Sequence, residues 1–309
     1  MNTSSVLELN LVDKDNLSGN EQFFIFNPCD KIKYYKPQSW KAGLEYLYVD
    51  ECSFNFIANI NGNQDINSSI LLLLEPRCIK PLLYTNIEIH RKHIEKNYYK
   101  IITHDESIYI KDHPKYNLLP FTGGSLILEE DVYNEPEKSK NISIIASEKM
   151  QSEGHKLRHQ IVNELGSFIT AYGPFYNNLY TYPKVERTDR RGYYNYITGN
   201  IAQAYLPYRF CIVVENQKQK YFFTEKIIDC FATRTIPIYW GATNISDYFN
   251  INGILTFNTM EELKGIIKTI HKNPEKIYNS LSYPISDNYL RHFPFRSFDE
   301  NLKNIIELK

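Results

Sequence analysis

An α/β fold with an open parallel sheet is predicted from two features of the sequence. In the second half, short apolar runs alternate with amphipathic helical segments over short connections, the pattern of a parallel sheet covered on both faces. The 309 residues also leave room for two domains of about 150 residues, each with its own core. The first half reads as short apolar runs separated by polar loops.

Taken in order, Phe23–Phe26 is a strand closed by Asn27-Pro28. Ser69–Leu74 is a buried strand that ends at Glu75-Pro76, because proline cannot donate to a central ladder. Leu83–Lys96 fits a helix or a surface loop, Tyr99–Thr103 is a strand, and Pro120–Gly124 is a turn. Asp131–Asn141, with Pro136 and alternating charges, reads as a solvated linker. Ile142–Ala146 is the next strand. Leu157, Ile161, Val162 and Leu165 then share one helical face, with Gly166 as C-cap. A long loop carrying Arg187, Arg190 and Arg191 leads to the strand Phe210–Val214. Thr224 starts a helix as N-cap, with Ile227, Ile228 and Phe231 facing inward. Strands Thr235–Trp240 and Ile254–Phe257, the amphipathic helix Met260–His271 and a helix from Phe298 to the end complete the chain. There is no internal repeat.

Composition excludes several classes. Thirty-five basic against 36 acidic residues give a net charge of −1, which argues against a nucleic-acid coat or a polybasic membrane tail. A hydrophobic fraction of 42% with 23% charged residues is that of a soluble globular chain, and the 25 tyrosines reflect genome composition rather than a site. Cys29, Cys52, Cys78, Cys211 and Cys230 form no CxxC, so they are expected to be mostly buried thiols in a reducing compartment. The N-terminus lacks the basic and apolar regions of a signal peptide, and the run Ile70–Leu74 is far short of the roughly 20 residues that span a bilayer. A soluble, intracellular protein is therefore expected.

The chemistry concentrates between Tyr208 and Gly241. A strand ends in Glu215-Asn216, a polar loop follows, and a helix opens with Thr224-Glu225-Lys226. Ligands of open parallel sheets sit beyond the carboxyl ends of the strands, and a helix N-terminus offers amides and a positive dipole end to a phosphate. Lys226 opposes the helix dipole, which makes sense if an anion neutralises it, and Glu225 suits sugar hydroxyls. A solvated helix start explains the same spacing equally well, and spacing alone leaves both readings open.

The segments YRFCIVVEN, TEKIID and TIPIYWG, in this order, resemble the donor-binding signature of glycosyltransferase family 10, the α1,3/4-fucosyltransferases. The likeness is specific from Tyr208 to Gly241, looser from about Ile142 to His271, and scattered in the first half. It implies a GT-B fold: two Rossmann-like domains facing across a cleft, with an acceptor domain at 1–140, a donor domain at 141–275, and a helical segment at 276–309 packing back on the first domain. It further implies an inverting transfer of L-fucose from GDP-fucose to a glycan hydroxyl in α1,3 or α1,4 linkage. No metal or other cofactor is required, and the partners are a nucleotide sugar and an oligosaccharide or glycoconjugate acceptor. The expected location is cytoplasmic, or peripheral to a membrane that carries the acceptor.

Residue by residue, the resemblance marks Glu215, Asn216, Phe222, Thr224, Glu225 and Lys226 as donor-site positions, with Glu225 on the ribose and Lys226 on the diphosphate. Arg158 matches a diphosphate-binding arginine; without the resemblance it reads as a helix-surface charge in the run Lys156–His159. Phe222 departs from the family's Tyr, with Tyr221 one residue earlier, so another nucleotide sugar is the alternative donor. A silent glycan- or nucleotide-binding protein is the alternative from outside enzymology. An inverting transfer needs a base. Glu75 at its strand end is the candidate, and Asp105 or Glu106 the next. Asp13-Lys14-Asp15 spells DxD outside any nucleotide context, and His155 and His159 at i,i+4 lack a third ligand. Neither is taken as a metal site. Gly123-Gly124 is no phosphate loop and is placed beside the acceptor.

Overall fold

A computed structural model describes residues 6–12, 32–35, 41–50, 69–127, 129–132, 137–173 and 201–308. The expected strand Phe23–Phe26, the DxD-like triplet, Cys29, Cys52 and the arginines 187, 190 and 191 lie outside them. The chain forms two compact units, Met1–Thr122 with Ser297–Lys309, and Gly123–Arg296. The sequence reading had placed divisions at 140/141 and 275/276.

The first unit holds a parallel sheet of β1 (Leu7–Val12), β2 (Ile32–Tyr35), β3 (Glu45–Val49), β4 (Ser69–Leu72), β5 (Lys100–Thr103) and β6 (Tyr116–Leu118), in the order β2-β1-β3-β4-β5-β6. Side chains alternate across a strand, so a sheet covered on both sides needs an unbroken apolar run. In β4, Ile70 and Leu72 join one core cluster, while Leu71 and the following Leu73 join another. The second cluster takes in Tyr84 and Ile87 of α1 (Pro81–Ile89) and Ile94 of α2 (Arg91–Asn97). Leu83–Lys96 is thus two short helices, separated at His90.

The first cluster is closed by Phe298, Leu302 and Ile306 of the final helix, Phe298–Glu307. Lys100 explains that placement. A lysine in a fully buried strand is costly unless it is paired. Its Nζ donates to the carbonyls of Ile305, Ile306 and Leu308 at 2.7, 2.9 and 2.9 Å, supplying donors where the helix runs out of its own.

The second unit has a parallel sheet of β7 (Lys140–Ile145), β8 (Thr170–Tyr172), β9 (Tyr208–Val214), β10 (Ile236–Trp240) and β11 (Leu255–Thr256), in the order β11-β10-β9-β7-β8. The strands expected at 142–146, 210–214, 235–240 and 254–257 are all present with shifted ends. Between Glu129 and Val132 the expected linker begins as a short helix, α3, and its last residues already belong to β7. α4 (Glu153–Leu165) follows β7, and its Ile161, Val162 and Leu165 pack with Ile142, Ile144, Phe210, Ile212 and Trp240. Burying each such side chain contributes about 1.5–3 kcal/mol. Gly166 does cap α4, but at φ −57 it stays right-handed, so a left-handed turn is not what selects glycine there.

α5 (Glu225–Ala232) follows β9 and packs on β9 and β10. Since β8 and β9 lie on opposite sides of β7, the strand order reverses between β7 and β9. The helices that follow these two strands, α4 and α5, therefore begin at the carboxyl ends flanking that reversal, where open α/β sheets bind ligands. α6 (Met260–Lys272), α7 (Pro274–Ser280) and α8 (Ser282–Arg291) complete the unit.

Candidate nucleotide-sugar site

The carboxyl end of β9 is organised around Glu215, whose side chain is fully buried. Its Oε1 accepts the Thr224 N–H at 2.9 Å, and its Oε2 accepts the Thr224 hydroxyl at 2.8 Å and Lys226 Nζ at 3.4 Å. Lys226 Nζ also donates to Thr224 Oγ1 at 2.7 Å and Glu225 Oε1 at 3.1 Å. Thr224 is the N-cap of α5 by position, but its side chain caps none of the first-turn amides, because its hydroxyl is committed to Glu215. The dipole conflict at Lys226 is resolved within the chain itself. Burial works against the ammonium, while the attraction of Glu225 and Glu215 outweighs it and holds the pKa above the ordinary lysine value. About a quarter of the Lys226 side chain stays exposed, so the cation is held in place yet reachable.

α4 brings the second cation. Arg158 is 6% exposed and donates from Nη2 to Asn216 Oδ1 at 2.6 Å and from Nε to the Gly154 carbonyl at 3.2 Å. It is therefore not the surface charge that its neighbours Lys156 and His159 suggested. Burial pushes its pKa down, with Glu215 and Glu225 acting the other way. The α4 terminus reaches this close because of Gly154: a Cβ there would stand 1.7 Å from the Glu215 carbonyl oxygen. Gly241 has a matching role after β10, where a Cβ would come within 2.6 Å of Glu215 Cγ. His155 is consumed by the capping box with Ser152, its Nδ1 accepting the Ser152 N–H at 3.2 Å. Burial, with Arg158 next in weight, pushes its pKa down to about 4.

One feature of this region had no local signal. Asp229, one turn after Glu225, is buried and accepts the Ser125 hydroxyl at 2.8 Å and the Leu126 N–H at 2.9 Å. Burial pushes its carboxyl well above the usual carboxylate range. It ties the 123–127 segment to α5, and a Cβ on Gly123 would stand 3.1 Å from Glu225 Oε2. Gly123 thus borders Glu225. Phe222 is 1% exposed and its ring is buried, while Tyr221 holds a left-handed φ of +60 with its N–H on Asn244 Oδ1.

In the first unit, Glu75 follows β4 with an exposed side chain. Asp105 is committed elsewhere: Oδ1 accepts the Ser107 N–H at 2.9 Å and Arg77 Nη2 at 3.2 Å, and Oδ2 accepts Arg77 Nε at 3.3 Å. Glu106 is exposed. Among the described residues, no three His, Cys, Asp or Glu side chains are grouped to hold a metal, and no helix is long and apolar enough to cross a membrane.

Two parallel-sheet units with helices make an α/β fold of the GT-B class. Crystal structures of α1,3-fucosyltransferase share it. One superposes with a TM-score of 0.54 at 15% identity, covering 99% of this chain and 91% of that one. Another, with GDP-fucose, gives 0.53 at 15% identity, covering 99% and 93%. Residues 135–283 match the family model described as glycosyltransferase family 10 (fucosyltransferase) C-terminal. An α-(1,4)-fucosyltransferase of Arabidopsis thaliana is 23% identical over 272 residues, covering 80% of this chain and 65% of that protein. The α-(1,3)-fucosyltransferase FucT of Helicobacter pylori is 36% identical over 67 residues, covering 21% of this chain and 14% of that protein. The chain thus spans less than two thirds of the length of either relative.

Proposed function

We propose that this protein is an inverting fucosyltransferase that takes L-fucose from GDP-fucose and joins it in α1,3 or α1,4 linkage to a hydroxyl of a glycan or glycoconjugate. The observation that carries the reading is the meeting of Arg158 and Asn216 with Thr224-Glu225-Lys226 at the strand ends of the family-matched segment. Departing GDP gathers negative charge on its diphosphate. Arg158 and Lys226, with the first turns of α4 and α5, supply cations and amide dipoles to meet it. Glu225 accepts from the ribose hydroxyls. The acceptor oxygen attacks the anomeric carbon from the face opposite GDP as the C1–O bond breaks, and Glu75 takes the acceptor proton. We assign the chemistry to these side chains without a metal. Its place of work is the cytoplasm or the surface of a membrane that carries the acceptor. Phe222, where the family has Tyr, favours a second reading in which another nucleotide sugar is the donor.

The reading is tested by thermal unfolding with nucleotides. GDP should raise the melting temperature, by the equivalent of about 2.7 kcal/mol at a hundredfold excess over Kd, and UDP should do much less. Equal or greater protection by UDP overturns the guanine assignment. Transfer assayed across GDP-, UDP- and dTDP-sugars then identifies the sugar, and donor hydrolysis without acceptor separates an enzyme from a binding module. EDTA should leave substantial activity, and full loss restored by Mn²⁺ would contradict the metal-free assignment.

A further inference from the structure

The backbone around Glu75 is held more completely than a strand end requires. The Leu74 N–H donates to Asp50 Oδ1 at 2.8 Å and the Glu75 N–H to Asp50 Oδ2 at 3.0 Å, so one carboxylate grips two successive amides. The Leu74 carbonyl is met by His104 Nε2 at 3.1 Å, and the Glu75 carbonyl by the Tyr84 hydroxyl at 2.8 Å. All four backbone polar groups of this dipeptide are thus held by side chains from three other segments, while the Glu75 side chain itself is exposed.

The supports are themselves fixed. His104 is fully buried, and burial pushes its pKa down to about 4, so it is neutral and its Nε2 carries the proton given to Leu74. Tyr84 is fully buried, with the Arg77 guanidinium 4.8 Å from its ring centre, and Arg77 is anchored on Asp105. Asp50 follows β3 with a left-handed φ of +47, a conformation that costs free energy in a residue with a side chain. Its own N–H bonds the Leu72 carbonyl at 2.9 Å, which aims the carboxylate at the turn after β4. Burial pushes its pKa up to about 7, against the N–H groups of Glu75 and Leu74 and the charge of Lys80. A strained backbone and a poorly solvated carboxylate are spent on a turn that buries no apolar side chain of its own at Glu75.

We infer that Asp50, assisted by Tyr84 and His104, is a positioning residue that pre-sets the Glu75 carboxylate for proton abstraction. The inference rests on the reading of Glu75 as the base. A base works only when held within hydrogen-bond reach of the proton it takes, and a displacement of about 1 Å costs on the order of 100-fold. A rigid peptide below an exposed carboxylate limits its search to its own side-chain rotamers.

Steady-state transfer kinetics of Asp50→Asn, Tyr84→Phe, Glu75→Gln and the double variant Asp50→Asn/Glu75→Gln test this. Asn at position 50 turns an NH2 toward one of the two amides. The expected result is a kcat lowered about 10- to 100-fold with donor KM and GDP protection near wild type. Tyr84→Phe frees the Glu75 carbonyl and removes the hydroxyl's 3.5 Å contact with His104 Nε2 while leaving both Asp50 bonds, and should move kcat the same way by less. In the Glu75→Gln background Asp50→Asn should add little, because there is no base left to position. A full, multiplicative loss in the double variant, or wild-type kcat for a folded Asp50→Asn when Glu75→Gln is inactive, overturns the positioning role and leaves the base reading standing. Wild-type activity of Glu75→Gln overturns both. If Asp50→Asn does not fold, Tyr84→Phe decides: a raised donor KM with unchanged kcat refutes the proposal.

Discussion

Lys226→Ala should remain folded and lose about 30- to 1,000-fold in kcat/KM for sugar transfer, the equivalent of about 2–4 kcal/mol of transition-state stabilisation. Nζ is held by Thr224 Oγ1, Glu225 Oε1 and Glu215 Oε2, so its position is set before a ligand arrives. A cation already in place stabilises developing charge without reorganising, which is why its loss should fall on the leaving-group step. The folded state should survive, because Glu215 keeps both bonds from Thr224, and losing its third partner costs about 1–3 kcal/mol. Denaturant unfolding separates that cost from the kinetic one. Arg158→Ala should behave alike, and Arg158→Lys should recover only part of the loss, since an ammonium cannot copy the guanidinium fork that spans Gly154 and Asn216. Near-wild-type kcat/KM in either folded alanine variant removes that residue from the site.

What could be read in the sequence follows from which interactions are local. Tyr208–Val214, Glu225–Ala232 and Ile236–Trp240 were legible because a buried parallel strand is a continuous apolar run and α5 repeats its apolar face at helical spacing. The position of Thr224 was legible too, but the destination of its hydroxyl was not, because Glu215 reaches it through the fold. β1, β2 and β3 escaped notice: Leu7–Val12 alternates with Glu8 and Asn10, and its partners Ile32–Tyr35 and Glu45–Val49 lie far along the chain. Lys100 has an apparent mismatch with its buried strand that only the far end of the chain explains.

Site residues divide in the same way. Arg158, Asn216, Glu225 and Lys226 stand in motifs, so a resemblance could single them out, and the structure brings them to neighbouring strand ends. Asp229 holds Ser125 across 104 residues, and Asp50 holds Leu74 across 24, with neither pair marked by any motif. A hydrogen bond of that kind depends on where two backbones pass, and nothing in the local sequence encodes it. Buried carboxylates that bond backbone amides are the class of residue that sequence reading missed at both places.

Glu75→Gln should lower kcat by about 10²–10⁴-fold while leaving GDP affinity nearly unchanged. The amide has the size of the carboxylate and can still accept a hydrogen bond, but it cannot take the acceptor proton at neutral pH. The loss should therefore appear in turnover and not in donor KM. Glu75 is suited to the role by what surrounds it: the side chain is exposed on a peptide whose N–H and carbonyl are both occupied, by Asp50 and Tyr84. Asp105 is committed elsewhere, with both oxygens taken up by Arg77 and the turn at Ser107. The fold should tolerate Glu75→Gln, since the side chain is exposed and the backbone bonds to Asp50 and Tyr84 remain. Kinetics at saturating acceptor, with GDP protection against thermal unfolding as the control, give the answer. Full activity in Glu75→Gln would dismiss Glu75 as the base. Glu106 would then be next, being exposed where Asp105 is committed. A joint loss of activity and GDP protection would instead show that the substitution reaches the donor unit, and the assignment of proton transfer to Glu75 would fall with it.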